Sequence, residues 1–161
     1  MSLERVKAYL QKFGLDGRIR VLDQSSATVE LAARALGCEP CRIAKTLSFS
    51  VGGGAVLVVA AGDAKVDNAK FKAFFGTKAK MLTPAEAEAL VGHAVGGVCP
   101  FAVNGGVRTY LDPSLRRFAT VFPACGSSDS AIELTCGELE SCADGFCGWA
   151  DVCKLPAPQG G

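Results

Sequence analysis

The sequence lacks any hydrophobic run long enough to cross a membrane. Its longest uninterrupted apolar stretch, Ala55 to Ala61, has seven residues, whereas a membrane-spanning helix needs about 20. The first residues, from Met1 to Arg5, contain no apolar segment of the kind found in a secretory signal peptide. We therefore expect no membrane association and a location in the cytoplasm.

The motifs of the best-known hydrolase classes are absent as well. There is no G-x-S-x-G, no H-E-x-x-H and no glycine-rich phosphate-binding pattern after a predicted strand. The sequence has a single histidine, His93. A serine nucleophile with a histidine base and a metal-dependent hydrolase therefore have no support, and we expect neither a metal nor another cofactor.

What the sequence does have is eight cysteines and enough apolar residues for a core. Cys38 and Cys41 form the only C-x-x-C pair, whereas a structural zinc site would need a second close pair. A redox motif of the thioredoxin type would open a helix after a strand, but this pair follows a predicted helix end at Gly37. Since a chain of 161 residues needs no cross-links to fold, we expect free thiols, with zinc binding and redox chemistry as weaker alternatives.

The formal net charge of +1 conceals an uneven distribution of charge along the chain. Residues 1–80 carry 13 Lys and Arg against seven Asp and Glu, and residues 81–161 carry four against nine. One predicted helix and its flanks carry a lysine cluster: Lys65, Lys70, Lys72, Lys78 and Lys80. The cluster indicates either a solvated helix face or a patch that contacts the phosphates of a nucleic acid.

Hydrophobic periodicity and turn residues predict alternating helices and strands. Capping patterns at Thr28, Thr83 and Thr135 mark helix starts, and further helices are predicted over 2–13 and from Asp67 to Phe75. The predicted strands are 18–22, 43–51, 55–61, 78–82, 107–111, 118–122 and 131–134. The apolar run at 55–61 is typical of a central strand covered on both faces. We expect a single α/β (α+β) domain over residues 1–154, built on a mixed sheet, and a disordered tail over 155–161.

One predicted strand carries a charged residue among apolar ones. Alternation along residues 43–51 puts Lys45 on the same face as Leu47, Phe49 and Val51. A lysine in that position either extends its ammonium group to water or points into a cavity at the end of the sheet. In such a cavity it would hold an anion or polarise a carbonyl group. These residues leave both interpretations open.

The glycine-rich stretch from Gly92 to Phe101 provides a second candidate site. Gly96 and Gly97, followed by Pro100, form a turn whose backbone N–H groups can converge on an anion or on a developing oxyanion. The alternative is a plain turn between two elements. His93 falls in the same stretch, where a single histidine is more often structural than catalytic.

Five segments of the sequence combine into a family pattern. They are Ala32 to Gly37, Ile43 to Leu47, Gly92 to Phe101, Tyr110 to Leu115, and Gly126 to Leu134. Together, over about residues 3–140, they resemble the YbaK/EbsC family, also called the prolyl-tRNA-synthetase-associated editing domain. The resemblance implies a mixed, partly barrel-like β-sheet surrounded by helices. It also implies a free-standing deacylase that removes wrong amino acids from tRNA by cleaving the ester.

The resemblance implies that Lys45, Gly96 and Gly97 carry the catalysis. Lys45 matches the family's key lysine and would anchor a phosphate of the terminal adenosine or the ester region. Gly96 matches the glycine of the substrate loop, whose N–H groups would stabilise the tetrahedral oxyanion. The attacking group stays open between water oriented by a tRNA hydroxyl and a nucleophile on the mischarged amino acid, and we expect Cys99 to be structural.

We expect substrate-binding roles for five further residues: Thr28, Thr46, His93, Val98 and Pro100. The cysteine-specific branch of the family has an aromatic residue in place of Thr28 and an acidic one in place of Ala131, so the amino acid removed is not assigned. We expect the partner to be the acceptor end of an aminoacyl-tRNA, such as mischarged tRNA-Pro or a similar tRNA bearing a small residue. An aminoacyl-tRNA synthetase is an optional further partner, and a monomer is the expected unit. The alternative is a non-catalytic module of the same fold that binds tRNA or a synthetase.

Overall fold

The computed structural model describes residues 2–23, 28–94 and 96–156. The α-helices of these ranges are α1 (Ser2–Gln11), α2 (Val29–Leu36), α3 (Asn68–Phe75), α4 (Pro84–Leu90) and α5 (Cys136–Cys142). Their strands are β1 (Arg20–Val21), β2 (Ile43–Val51), β3 (Gly54–Ala61), β4 (Lys65–Val66), β5 (Arg108–Leu111), β6 (Phe122–Pro123), β7 (Ser130–Ala131), β8 (Phe146–Trp149) and β9 (Cys153–Lys154). Short 3₁₀ helices cover Asp16–Arg18, Pro40–Arg42 and Pro113–Arg117.

The main sheet has five strands in the order β6-β2-β3-β5-β8. The β2–β3 hairpin is antiparallel, whereas β2 pairs with β6, β3 with β5, and β5 with β8 in parallel. The sheet is therefore mixed, and it curls into a half-barrel flanked by helices, which confirms the predicted fold class. The apolar run from Ala55 to Ala61 lies at its centre, where no residue is more than 5% exposed.

The helix boundaries follow the capping residues that the sequence predicts. Thr28 begins α2 by accepting a hydrogen bond from a backbone N–H of the first turn. Thr83 and Thr135 form complete capping boxes at the starts of α4 and α5. Gly37 ends α2 with a φ of 70°, a left-handed conformation that glycine adopts without steric cost.

Several predicted strands are shorter than expected. The segment 18–22 contains only β1, and α1 ends at Gln11 rather than at Phe13. The segment 78–82 contacts β2 through an isolated bridge between Met81 and Phe49, and 118–122 and 131–134 overlap only β6 and β7. Outside these strands the segments pair through isolated bridges, such as that between Val121 and Leu134, and alternation within one segment does not report how far its pairing extends.

Three short strands, β4, β8 and β9, were not predicted from the sequence. Gly148, the third residue of β8, has a φ of 142°, and the register between β5 and β8 shifts between Phe146 and Gly148. Such an irregular strand has no clear period-two pattern. The predicted tail, 155–161, lies outside the described residues except for Leu155 and Pro156.

The hydrophobic core is divided into one large and two small clusters. The large cluster lies between the sheet and helices α1, α3 and α5. A second cluster joins α2 to β2 and β6, and a third joins α4 to β3. The helices α2 and α4 therefore pack against different parts of the curled sheet. None of the helices within the described ranges combines the length and the hydropathy that a bilayer span requires.

The carboxylate of Asp112 connects the end of β5 to the C-terminal strands. One oxygen accepts hydrogen bonds from the backbone N–H groups of Val152 and Cys153, at 3.0 and 3.1 Å. The other accepts one from the N–H of Ser114 at 2.9 Å. Asp112 is 2% exposed, and hydrogen bonds to an ionised acceptor are stronger than those between neutral groups. This side chain therefore stabilises two distant segments at once.

We predict that Asp112→Ala lowers the free energy of unfolding by about 3 kcal/mol, because it leaves three backbone N–H groups without their acceptor. The matched control is Asp151→Ala, which removes an exposed carboxylate that pairs with Lys70 at 3.1 Å and should cost less than about 1 kcal/mol. Urea denaturation followed by circular dichroism measures both values. Equal losses in the two variants would contradict the role given to Asp112.

Candidate functional site

A cavity of about 340 Å³ opens between α2 and α4 on one face of β2. Its walls are mostly apolar, with contributions from Val29, Ala32 and Leu36 of α2 and from Pro84 and Ala87 of α4. Among the described residues that line it, Lys45 is the only one with a charged side chain. A small apolar cavity with one cationic group is a common form of ligand site.

The structure brings five of the eight predicted site residues to this cavity. Thr28, Lys45, Thr46, Gly96 and Val98 line its walls. Ala131, the position that is acidic in the cysteine-specific branch, lines them too. The three other predicted residues, His93, Gly97 and Pro100, are buried within the same loop as Gly96 and do not line the cavity.

Lys45 is held at the end of the sheet by backbone carbonyl groups. It pairs with Ala60 in the β2–β3 hairpin, and its half-buried side chain reaches the turn that follows β3. There Nζ donates hydrogen bonds to the carbonyl oxygens of Gly62, at 3.4 Å, and of Ala64. Burial lowers the pKa of the ammonium group below its ordinary value, because removal from water disfavours the charged form.

Gly62 makes this anchor sterically possible, and sequence reasoning did not single it out. A Cβ atom at Gly62 would lie 2.1 Å from the carbonyl oxygen of Pro40 and 2.8 Å from Cγ1 of Val29. No larger residue fits where α2 and the Pro40 turn approach the end of β3. The available signal was a glycine directly after an apolar strand, which also marks many ordinary turns.

The two glycines of the substrate loop are required for different reasons. Gly96 has a φ of 91°, in the region that favours glycine. Gly97 is buried, and a Cβ atom there would lie 2.5 Å from the carbonyl carbon and oxygen of Gly126. The N–H of Gly97 donates to the carbonyl oxygen of Ala94 at 3.0 Å. Gly97 thus fixes the loop by close packing, while Gly96 provides the backbone at the cavity wall.

His93 and Cys99 are both buried inside the loop that they belong to. Nε2 of His93 lies 2.7 Å from the carbonyl oxygen of Phe101 and 3.6 Å from Sγ of Cys99. Burial lowers the pKa of the imidazole and raises the pKa of the Cys99 thiol to about 12. Since the thiolate is the nucleophilic form, Cys99 is inert at neutral pH, as expected for a structural residue.

The other end of the loop is anchored at Pro100. Its carbonyl oxygen accepts a hydrogen bond of 2.7 Å from the N–H of Asp144. The Asp144 carboxylate in turn accepts one of 3.0 Å from the N–H of Val103. Asp144 therefore holds the end of the loop in place through two hydrogen bonds, one to Pro100 and one to Val103.

The hydroxyl groups that line the cavity differ in whether they already form hydrogen bonds within the protein. Thr28 accepts a hydrogen bond of 3.1 Å from the N–H of Leu31 as the cap of α2, and the Ser130 hydroxyl pairs with that of Ser127 at 2.6 Å. The Oγ1 atom of Thr46 is buried and has no hydrogen-bond partner among the described residues. A buried hydroxyl without a partner costs about 1–3 kcal/mol, so Thr46 retains bonding capacity at the cavity.

The predicted lysine cluster lies on the surface and does not line the cavity. All five lysines are exposed, and Lys70 pairs with Asp151 at 3.1 Å. The cysteines are free thiols, and the described ranges contain no group of three or more side chains placed to hold a metal ion. Burial raises the pKa values of the Cys38 and Cys41 thiols, which makes these thiols less reactive.

Comparison with protein families identifies the class of this fold and site. The family model of the aminoacyl-tRNA editing domain matches residues 23–142. The chain therefore belongs to the aminoacyl-tRNA editing domain family, which confirms the resemblance to YbaK-type proteins. It is 49% identical over 155 residues to the uncharacterized protein YwhH of Bacillus subtilis (strain 168), covering 96% of this chain and 98% of that one.

Solved structures of similar proteins share the same architecture. One is the crystal structure of a protein described as a candidate trans-editing enzyme for prolyl-tRNA synthetase, with a TM-score of 0.84 and 31% identity over 95% of this chain and 97% of that one. Another is that of the hypothetical protein APE2540, with a TM-score of 0.83 and 28% identity over 93% and 99% of the two chains.

We predict that Gly97→Ala lowers the free energy of unfolding by about 2 kcal/mol, because the added methyl group collides with backbone atoms of Gly126 that have little freedom to move. The control is Gly105→Ala, where a Cβ atom meets nothing within 4 Å and the change should stay within about 0.5 kcal/mol. Thermal and urea denaturation measure both variants. A neutral Gly97→Ala variant would contradict the close packing of the loop.

Proposed function

We propose that this chain is a trans-acting aminoacyl-tRNA deacylase that hydrolyses the ester of a mischarged tRNA. Membership of the editing-domain family gives the general role. The observation that carries the finer proposal is the cavity, whose described walls combine Lys45, their one charged side chain, with Gly96 of the glycine loop. We propose mischarged tRNA-Pro, or a similar tRNA carrying a small residue, as substrate, because a similar protein is described as acting with prolyl-tRNA synthetase.

The proposed binding mode follows from the shape and charge of the cavity. Its apolar walls and volume of about 340 Å³ suit a small aminoacyl group next to the terminal ribose. Thr28, Thr46 and Val98 contact this group in the proposed complex, while His93 and Pro100 act indirectly by holding the loop. The ammonium group of Lys45 neutralises a phosphate of the terminal adenosine or polarises the ester carbonyl.

In the proposed reaction, the oxygen of a water molecule adds to the ester carbonyl carbon. Backbone N–H groups around Gly96 stabilise the resulting oxyanion, at about 3 kcal/mol for each well-placed donor. The bond between the carbonyl carbon and the ribose oxygen then breaks, and the ribose oxygen takes up a proton as the amino acid leaves. Since no carboxylate or imidazole lies on the described walls, we propose that a hydroxyl of the tRNA itself orients the water.

The proposed setting is a monomer that acts in the cytoplasm on the acceptor end of the tRNA, with or without a synthetase bound. The alternative function is a non-catalytic module that binds tRNA or a synthetase. One observation favours this alternative: the described walls of the cavity offer no general base, and the N–H of Gly97 is already used within the loop.

We predict that the wild-type protein deacylates at least one member of a panel of tRNA-Pro charged with Ala, Ser, Thr or Cys. Lys45→Ala should reduce kcat/KM by about 100-fold or more, because the developing negative charge loses its cationic partner. Lys154→Ala removes the same charge from an exposed position on β9, outside the lysine cluster, and serves as the control. Release of the labelled amino acid from the tRNA is measured.

The outcomes of this panel separate the two functions. An absence of hydrolysis with every substrate would contradict the deacylase and leave the non-catalytic module. Equal rates for the wild type and Lys45→Ala would leave the activity standing but remove Lys45 from the site.

We further predict that binding of a tRNA acceptor-stem helix is salt-dependent. Contact with about two phosphates should reduce the affinity about tenfold when the salt concentration rises from about 50 to about 200 mM, because bound counterions are released. Fluorescence anisotropy with a labelled acceptor stem measures the dissociation constant. An affinity that does not change over this range would show that the basic half of the chain makes no phosphate contacts.

A further inference from the structure

The turn after β3 carries a carboxylate between the two carbonyl groups that hold Lys45. Nζ of Lys45 donates hydrogen bonds to the carbonyl oxygens of Gly62 and Ala64, and Asp63 is the residue between them. The most obvious partner for a half-buried ammonium group is a carboxylate. Yet Lys45 has neutral carbonyl partners, although Asp63 belongs to the same turn.

The Asp63 carboxylate is engaged by Arg117 instead. Its two oxygens accept hydrogen bonds of 2.6 and 3.1 Å from the two terminal nitrogens of the guanidinium group. The side chains are only 26% and 33% exposed, so solvent screens this pair less than a fully exposed one. A two-point contact of this kind also fixes the orientation of the carboxylate.

Arg117 itself is held by the 3₁₀ helix that follows β5. Its Nε donates to the carbonyl oxygen of Ser114 at 2.9 Å, and the Ser114 hydroxyl accepts a hydrogen bond of 3.0 Å from the N–H of Ala61. The 3₁₀ helix Pro113–Arg117 therefore contacts the turn after β3 at two points, Ala61 before Gly62 and Asp63 after it. Both contacts fix the positions of the Gly62 and Ala64 carbonyl groups, which accept hydrogen bonds from Nζ of Lys45.

We propose that Arg117 is a positioning residue for Lys45, which it keeps available to substrate by occupying the Asp63 carboxylate that would otherwise pair with the ammonium group. The inference rests on the proposed function in one respect, since the availability of Lys45 matters only if Lys45 acts on the substrate. The arrangement of the three side chains is a separate claim, and it is tested without any substrate.

The charges that act on Lys45 come from several elements. Burial and Lys65 of β4 disfavour its charged form, whereas Asp63 and Glu30 of α2 favour it. The Cys153 thiol of β9 also faces Lys45, but burial raises its pKa to about 12, so it is neutral near pH 7. Loss of Arg117 leaves the Asp63 carboxylate uncompensated, so the pKa of Lys45 rises. Loss of the Asp63 carboxylate alone removes a favourable charge, so the pKa of Lys45 falls. Loss of both side chains returns it close to the wild-type value or slightly below.

The experiment is a double-mutant cycle of Arg117→Gln, Asp63→Asn and the combined variant. The pKa of Lys45 is followed by NMR through its labelled Cε resonance, which is assigned from the spectrum of Lys45→Arg. In parallel, kcat/KM is measured on whichever charged tRNA the wild type hydrolyses. Arg18→Gln is the matched control, because Arg18 forms a separate ion pair of 2.8 Å with Glu138.

The expected change in the Lys45 pKa is positive for Arg117→Gln and negative for Asp63→Asn. Arg117→Gln raises the pKa of Lys45 and lowers kcat/KM about tenfold, which corresponds to about 1.4 kcal/mol. The combined variant restores kcat/KM to within about threefold of the wild type. Arg18→Gln changes neither quantity. Should Arg117→Gln fail to fold, Arg117→Met, which is also neutral and keeps an apolar stem of similar length, takes its place in the cycle with the same expected results.

A merely structural Arg117 gives a different pattern. In that case the combined variant is as impaired as Arg117→Gln or worse, and Arg117→Gln leaves the pKa of Lys45 unchanged; either result overturns the inference. If the wild type hydrolyses no charged tRNA, the proposed function fails. The NMR titration of the four proteins then still decides whether Arg117 separates Asp63 from Lys45.

Discussion

The burial of β3 from Ala55 to Ala61 is the constraint on which the rest of the structure depends. This strand pairs with β2 and β5 on its two sides, and its residues from Ala55 to Ala61 have almost no contact with solvent. A polar or charged group within such a strand would lose its hydration without compensation. Polar chemistry is therefore confined to the end of β3, where the sheet no longer uses the backbone carbonyl groups and the carbonyls of Gly62 and Ala64 bind Lys45.

The same part of the molecule depends on backbone segments that lie unusually close together. Gly62 touches the Pro40 turn, and Gly97 touches Gly126, at distances that leave no space for a Cβ atom. Such contacts cannot accommodate even a small added group, because the atoms that meet belong mainly to the backbone and have little freedom to move. They fix the turn after β3, which binds Lys45, and the glycine loop, which contributes Gly96 and Val98 to the cavity.

The electrostatics of the site combine a half-buried cation with neutral surroundings. The two carbonyl partners of Lys45 accept hydrogen bonds from its ammonium group without cancelling its charge, whereas a carboxylate would also neutralise it. The bidentate pair between Asp63 and Arg117 keeps the carboxylate of the turn engaged elsewhere. Thr46, with its unpartnered hydroxyl on the described walls, adds hydrogen-bonding capacity without charge. A cavity of this composition suits an ester or a phosphate better than a cationic ligand.

The sequence by itself determined the features that depend on residues a few positions apart. Helix caps such as Thr83, the β2–β3 hairpin and the central position of β3 follow from local hydrogen bonding and hydrophobic alternation, and the family pattern pointed to Lys45 and Gly96. Only the tertiary structure decided which loop residues reach the cavity. It also revealed the close contact at Gly62 and the pairing of Arg117 with Asp63, 54 positions away. Contacts of this kind depend on how distant segments pack against β3, and no pattern within a single segment contains that information.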